Sequence, residues 1–121
     1  MRILLVEDTD DNREAYRLML EMMGHEVVEA TNGKEAIKVA LKKIPDLVLM
    51  DLSMPEVDGF QATAALRAIT PFTQVPIIAI TAYPPNYWRN KAEDAGCDAY
   101  LQKPFSPEVL SATINSFAKS S

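Results

Sequence analysis

Cysteine and histidine are nearly absent: the chain holds one of each, Cys97 and His25. A lone cysteine excludes an intrachain disulfide. A lone histidine excludes zinc sites built on His and Cys pairs. Glycine is scarce, at four residues, and neither G-x-x-x-x-G-K nor G-x-G-x-x-G occurs. No Gly-rich loop is therefore available to cradle a nucleotide. Positive charge is the minority sign: Lys+Arg is 12 against 17 Asp+Glu, a formal net charge of −5. That balance argues against direct nucleic-acid binding, which needs clustered Lys and Arg. Long apolar runs are missing too. The opening run Ile3–Val6 gives way to Glu7 and is too short for a signal peptide or a membrane span. The expectation is a reduced, cytoplasmic protein with no membrane insertion. What is present is ordinary globular balance: 121 residues, 48% hydrophobic and 24% charged, enough for one domain with one core.

Aliphatic runs alternate with helical patterns along the chain. The runs are Ile3–Val6, Val27–Ala30, Leu47–Met50, Ile77–Ile80 and Tyr100–Leu101. Those at 3, 47 and 77 are apolar throughout, as strands buried on both faces of a parallel sheet are. Those at 27 and 100 are shorter or more polar and suit the edges. Between them, Asp11 and Glu14 frame a first helix that stops at Gly24, with Ala15, Leu18, Met19 and Met22 as its inward row. Asn32 opens a second, with Ala36, Ile37, Ala40 and Leu41 apolar. A third runs from about Asp58 to Ile69, before Pro71. A fourth runs from about Pro85 to Ala95. Ser106-Pro107 opens a fifth, with Val109, Leu110, Ile114 and Phe117 apolar. The pattern is (βα)5, an α/β fold in which right-handed crossovers make a doubly wound parallel five-stranded sheet.

Sites in open α/β sheets form beyond the carboxyl ends of the strands. After the first run come Glu7 and Asp8, after the third Asp51, after the fourth Thr81, and after the fifth Lys103. Three carboxylates packed together repel unless a cation sits among them. All are hard oxygen donors, which favours Mg²⁺. A Mg²⁺, an ammonium and a hydroxyl together suit a phosphoryl group. With no nucleotide cradle, that group ends on the protein, a carboxylate serving as nucleophile.

In order along the chain stand Leu5-Val6-Glu7-Asp8, Met50-Asp51-Leu52-Ser53-Met54-Pro55 with Asp58-Gly59, Thr81-Ala82, and Tyr100-Leu101-Gln102-Lys103-Pro104-Phe105. Together they resemble the receiver domain of two-component response regulators, over residues 3 to about 117. The resemblance implies a flavodoxin/CheY-like sheet in the order 2-1-3-4-5 and a single receiver domain over 1–121, with no output domain in this chain. It implies Asp51 as phosphoacceptor, taking its phosphoryl group from phosphohistidine on a histidine kinase or histidine phosphotransfer protein. Glu7, Asp8, Asp51 and the backbone carbonyl of Ser53 would hold Mg²⁺, or Mn²⁺ in its place. Lys103 and Thr81 would bind the phosphoryl oxygens, with weak intrinsic autophosphorylation and autodephosphorylation. Thr81 and Tyr100 would form the switch, Lys103-Pro104 would be cis, and the fourth helix, fifth strand and fifth helix would present the output to a downstream protein. Asp10-Asp11-Asn12-Arg13, Gln61-Ala62-Thr63 and Gly96-Cys97-Asp98-Ala99-Tyr100 resemble receivers of phosphorelays and hybrid kinases more than those of DNA-binding regulators.

Two surfaces stand out as partner candidates. If Ala15 and Leu18 face the sheet, Tyr16, Leu20 and Met23 form a second, exposed row on the first helix, suited to docking on a helical bundle. The loop Tyr83-Pro84-Pro85-Asn86-Tyr87-Trp88 is stiffened by two prolines. Tyr83, Tyr87 and Trp88 are then either a partner surface or, more plainly, the start of the fourth helix at Pro85 with a partly buried Trp88. A bulky Tyr83, two residues after Thr81, would shield the acyl phosphate from water. Two other functions compete. An aspartyl-phosphate hydrolase needs an acid two residues after the nucleophile, where Ser53 stands. A flavodoxin-like cofactor binder needs a Ser/Thr/Gly-rich first loop, where Glu7-Asp8 would repel phosphate.

Overall fold

The computed structural model describes residues 1–52, 58–69 and 72–117. Strands β1 (Arg2–Val6), β2 (Glu26–Ala30), β3 (Leu47–Asp51), β4 (Ile77–Thr81) and β5 (Ala99–Gln102) alternate with helices α1 (Asp10–Met22), α2 (Gly33–Lys42), α3 (Gly59–Arg67), α4 (Pro85–Ala95) and α5 (Pro107–Asn115). The strands pair in parallel in the order β2-β1-β3-β4-β5. β3 and β4 are buried at every position, and the more polar β2 and β5 take the edges. Strand alternation divides the core in two. Leu4, Val6, Val48, Met50, Ile77 and Ala79 point to the face covered by α2, α3 and α4. Ile3, Leu5, Leu47, Leu49, Ile78 and Ile80 point to the face covered by α1 and α5. Every apolar strand residue therefore has a helix over it, which is why the central runs carry no polar positions.

The helix ends follow local chemistry. Asn32, Asp58 and Ser106 accept from the backbone N–H three residues on, at 2.8, 2.9 and 3.1 Å, each satisfying a donor that the first turn leaves without a partner. Pro85 and Pro107 stand in first turns. Gly24 (φ 91°) and Gly96 (φ 119°) end α1 and α4 in left-handed conformations that disfavour a side chain. α3 stops at Arg67, short of Ile69, where the chain tightens: Ile69 N–H bonds the Leu66 carbonyl and Phe72 N–H the Ile69 carbonyl.

The orientation of α1 corrects the sequence reading. Tyr16 is 9% exposed and Leu20 fully buried, with Met19 and Met23 packed against the same cluster. Leu18 is 48% exposed, Met22 88%, and Ala15 also faces solvent. Both rows have helical spacing, so periodicity alone does not choose between them. Two contacts choose: the Tyr16 ring stacks on Phe105 at 5.1 Å, and Arg13 and Arg17 reach Glu29 on the β2 edge. Leu41 and Val109, expected inside, are exposed; the small Ala36 and Ala40 bring α2 close, and Leu110 and Ile114 carry α5.

Candidate functional site

The site lies where β1, β3, β4 and β5 end. Glu7 continues β1, its N–H bonded to the Ala30 carbonyl at 3.1 Å. Asp51 closes β3 opposite Ile80, and Thr81 closes β4 opposite Gln102. Lys103 follows β5, its N–H bonded to the Thr81 carbonyl at 2.7 Å, and the Lys103-Pro104 bond is cis. Carboxylate oxygens of Glu7, Asp8 and Asp51 all lie within 4.8 Å of one another. Glu7 and Asp51 are buried, while Asp8 stands at the open side. Lys103 Nζ lies 2.6 Å from Glu7 Oε1 and 3.5 Å from Asp51 Oδ2. Gly59 lets α3 pass against this strand end: a Cβ there would fall 2.0 Å from the Asp51 carbonyl oxygen. Ser53, whose carbonyl was expected among the metal ligands, lies outside the described residues.

Burial pushes the Glu7 carboxyl up to about 7; the hydrogen bond from Lys103 opposes this and the charge of Asp51 adds to it. Burial works to lower the Lys103 ammonium, but the hydrogen bond to Glu7 and the charge of Asp51 outweigh it and hold it above its ordinary range. Among the described residues one ammonium faces three carboxyl groups, so the cluster carries net negative charge. A divalent cation with hard ligands matches both that charge and the oxygen donor set.

The switch candidates form a connected set. Thr81 is buried, and its hydroxyl accepts from the Tyr83 N–H at 3.1 Å. Tyr100 is partly exposed and its hydroxyl donates to the Tyr83 carbonyl at 2.6 Å. The Tyr83 ring stacks on Trp88 at 4.5 Å, Tyr87 meets Trp88 edge-on at 5.0 Å, and Phe60 lies tilted against the Trp88 ring at 5.9 Å. Trp88 is half-buried and Tyr87 exposed.

Two residues take roles that sequence reasoning missed. Tyr16, expected on a partner surface, instead forms a wall of the site, its ring 5.9 Å from Lys103 Nζ. Arg13 donates to the Glu7 carbonyl at 3.0 Å. Its position five residues after Asp8, one helical turn into α1, is the only signal the sequence offers.

Fold and site together define a doubly wound parallel α/β module built around two buried carboxylates, a third acid at the open side and a lysine. The chain belongs to the response regulator receiver domain family, whose model matches residues 3–115. It is similar to the polar-differentiation response regulator DivK of Brucella anthropi, with 35% identity over 115 residues covering 95% of this chain and 94% of that protein. Among solved structures it resembles the chemotaxis protein CheY4 of Vibrio cholerae, with TM-score 0.92, 29% identity, and coverage of 97% and 98% of the two chains. It also resembles the receiver domain of the sensor histidine kinase PA1611 of Pseudomonas aeruginosa, with TM-score 0.89, 35% identity, and coverage of 96% and 95%. That receiver holds a magnesium ion coordinated in its active site cleft. Receivers are signalling modules of two-component systems. Among the described residues, no helix is long and apolar enough to cross a membrane.

Proposed function

We propose that this receiver, read as a single domain over residues 1–121, takes a phosphoryl group onto Asp51 from phosphohistidine on a histidine kinase or phosphotransfer protein in the cytoplasm. The observation that carries this reading is Lys103 Nζ set between Glu7 and Asp51 in a pocket shared with Asp8. A carboxylate oxygen of Asp51 attacks phosphorus as the P–N bond breaks, and the freed imidazole takes up a proton. Lys103 turns from Glu7 toward the incoming oxygens, and the Thr81 hydroxyl donates to one of them while still accepting from Tyr83. Glu7, Asp8 and Asp51 would hold Mg²⁺, or Mn²⁺ in its place. The bound cation supplies charge neutralisation at the phosphoryl oxygens. Water attack on phosphorus later returns the carboxylate and inorganic phosphate, a slow intrinsic reaction.

Drawing Thr81 toward the phosphoryl group pulls on Tyr83, and through its carbonyl on Tyr100. The local charge change thus biases the position of α4 and β5, and a downstream protein reads the α4-β5-α5 face. The phosphodonor docks on the exposed α1 row of Ala15, Leu18 and Met22, replacing the row of Tyr16, Leu20 and Met23, which is inside. Tyr87 extends the surface by α4. The test is incubation with Mg²⁺ and acetyl phosphate, followed by intact mass. One labile added phosphoryl group, lost with a chelator and in Asp51→Asn, is expected. No adduct, with no spectral change on adding beryllofluoride, overturns the reading.

A further inference from the structure

The geometry points to Arg13 as the positioning residue that sets the mutual orientation of the Glu7 and Asp8 carboxylates, an inference that rests on the cation reading of that trio. The β1–β2 ladder ends at Val6–Ala30, so the Glu7 carbonyl lies beyond it and needs another donor. Arg13 Nη1 supplies one at 3.0 Å. That oxygen belongs to the peptide plane joining Glu7 to Asp8. A peptide unit is rigid, so fixing its oxygen fixes the rotation of the plane, and with it the directions in which both carboxylates leave the chain. The Thr9 N–H, bonded to Glu7 Oε2 at 3.2 Å, and Lys103 then hold the Glu7 side chain itself.

The guanidinium is held in turn. Its side chain is only 16% exposed, Nη2 pairs with Asp10, and Nε lies 3.6 Å from Glu29. Glu29 also takes Arg17 at 3.7 Å, and Arg17 pairs with Glu21 at 3.0 Å. Asp10 and Glu29 offset the charge of Arg13, so it orients the acidic pair without adding a net repulsion for a cation. The planar fork allows one side chain to serve a carbonyl and two carboxylates at once; a lysine ammonium on a flexible stem does not. Mg²⁺ demands near-octahedral geometry, so a tilt of the Glu7–Asp8 plane registers as lost affinity. Partners behind ligating groups are typically worth 10–100-fold in metal affinity.

The test is calorimetric titration of Mg²⁺ into wild type, Arg13→Met, Arg13→Lys and Arg17→Met, with folding checked by circular dichroism. Arg17 shares the ion-pair network but does not touch Glu7. Both Arg13 variants should bind Mg²⁺ roughly tenfold or more weakly, with Arg17→Met unchanged. The Asp8 and Thr9 amide resonances of the metal-free protein should move in the Arg13 variants alone. If Arg13→Met does not fold, Arg13→Lys carries the comparison. Wild type without Mg²⁺ binding overturns the cation reading itself. Wild-type binding that the Arg13 variants match, or that Arg17→Met loses equally, overturns the positioning role alone.

Discussion

Substituting Gly59 by Ala separates two physical effects of opposite sign. Gly59 is the first residue of α3, and Ala is favoured over Gly in a helix by up to about 1 kcal/mol. Propensity alone therefore predicts stabilisation. The added Cβ would lie 2.0 Å from the Asp51 carbonyl oxygen, 2.6 Å from the Leu52 Cα and 2.8 Å from the Asp51 carbonyl carbon, all of them backbone. Real Cβ atoms essentially never approach below 3.0 Å, so α3 and the end of β3 must separate by about 1 Å. Leu52 and Met50 are buried beside this contact, and overpacking of this kind costs about 1–3 kcal/mol or more. The clash outweighs the propensity gain, for a net loss of roughly 2 kcal/mol. In a domain of this size that lowers the thermal midpoint by about 8 °C. Because the strain falls on the main chain of Asp51, Mg²⁺ affinity and phosphorylation by acetyl phosphate should fall as well. Thermal denaturation followed by circular dichroism reads the first effect and titration the second. An unchanged or raised midpoint would refute the close-packing argument.

Three further outcomes follow from burial and charge. In metal-free protein the Glu7 carboxyl is raised from 4.5 to about 7, so its contribution to stability is fully present below about pH 4.5 and lost as pH rises through 7. The loss amounts to about 3 kcal/mol; thermal midpoints with a chelator should fall from pH 5 to 8 relative to those of Glu7→Gln, and a constant gap between the two proteins would show an ordinary carboxyl. Leu18→Glu, on the exposed face of α1, should leave stability unchanged within about 0.5 kcal/mol and slow phosphotransfer from a partner but not from acetyl phosphate, whereas Leu20→Ala should cost about 3 kcal/mol; equal loss from both phosphodonors in Leu18→Glu would argue against docking there. The Cys97 thiol, pushed by burial up to about 11, should resist alkylation in native protein at pH 8 and react on unfolding.

The parts of the fold that were legible in the sequence are those where one signal had one meaning. The apolar runs at 3, 47 and 77 could only be doubly covered strands, and their ends delivered Glu7, Asp51 and Thr81 to one edge. Caps were equally readable, because Asn32, Asp58 and Ser106 act on their own next turn. Face choice on α1 was not legible. Its two apolar rows have the same helical spacing and differ in which is inward, a matter decided by contacts with Phe105 and Glu29 outside the helix. Arg13 was hidden for the same reason: its function lies in a main-chain carbonyl, which has no sequence signature. Leu41 and Val109 fit the helical period yet lie outside, since period marks a stripe and not its width.

If Asp51 carries the phosphoryl group, the adduct can be placed directly by chemical trapping. Protein treated with acetyl phosphate and Mg²⁺ can be reduced with borohydride, which converts an aspartyl phosphate to homoserine, and then mapped by peptide mass spectrometry. Homoserine is expected at position 51 alone, absent when Mg²⁺ is chelated. Homoserine at position 8 instead, or an acid-stable phosphate on a hydroxyl side chain, would contradict Asp51 as the phosphoacceptor.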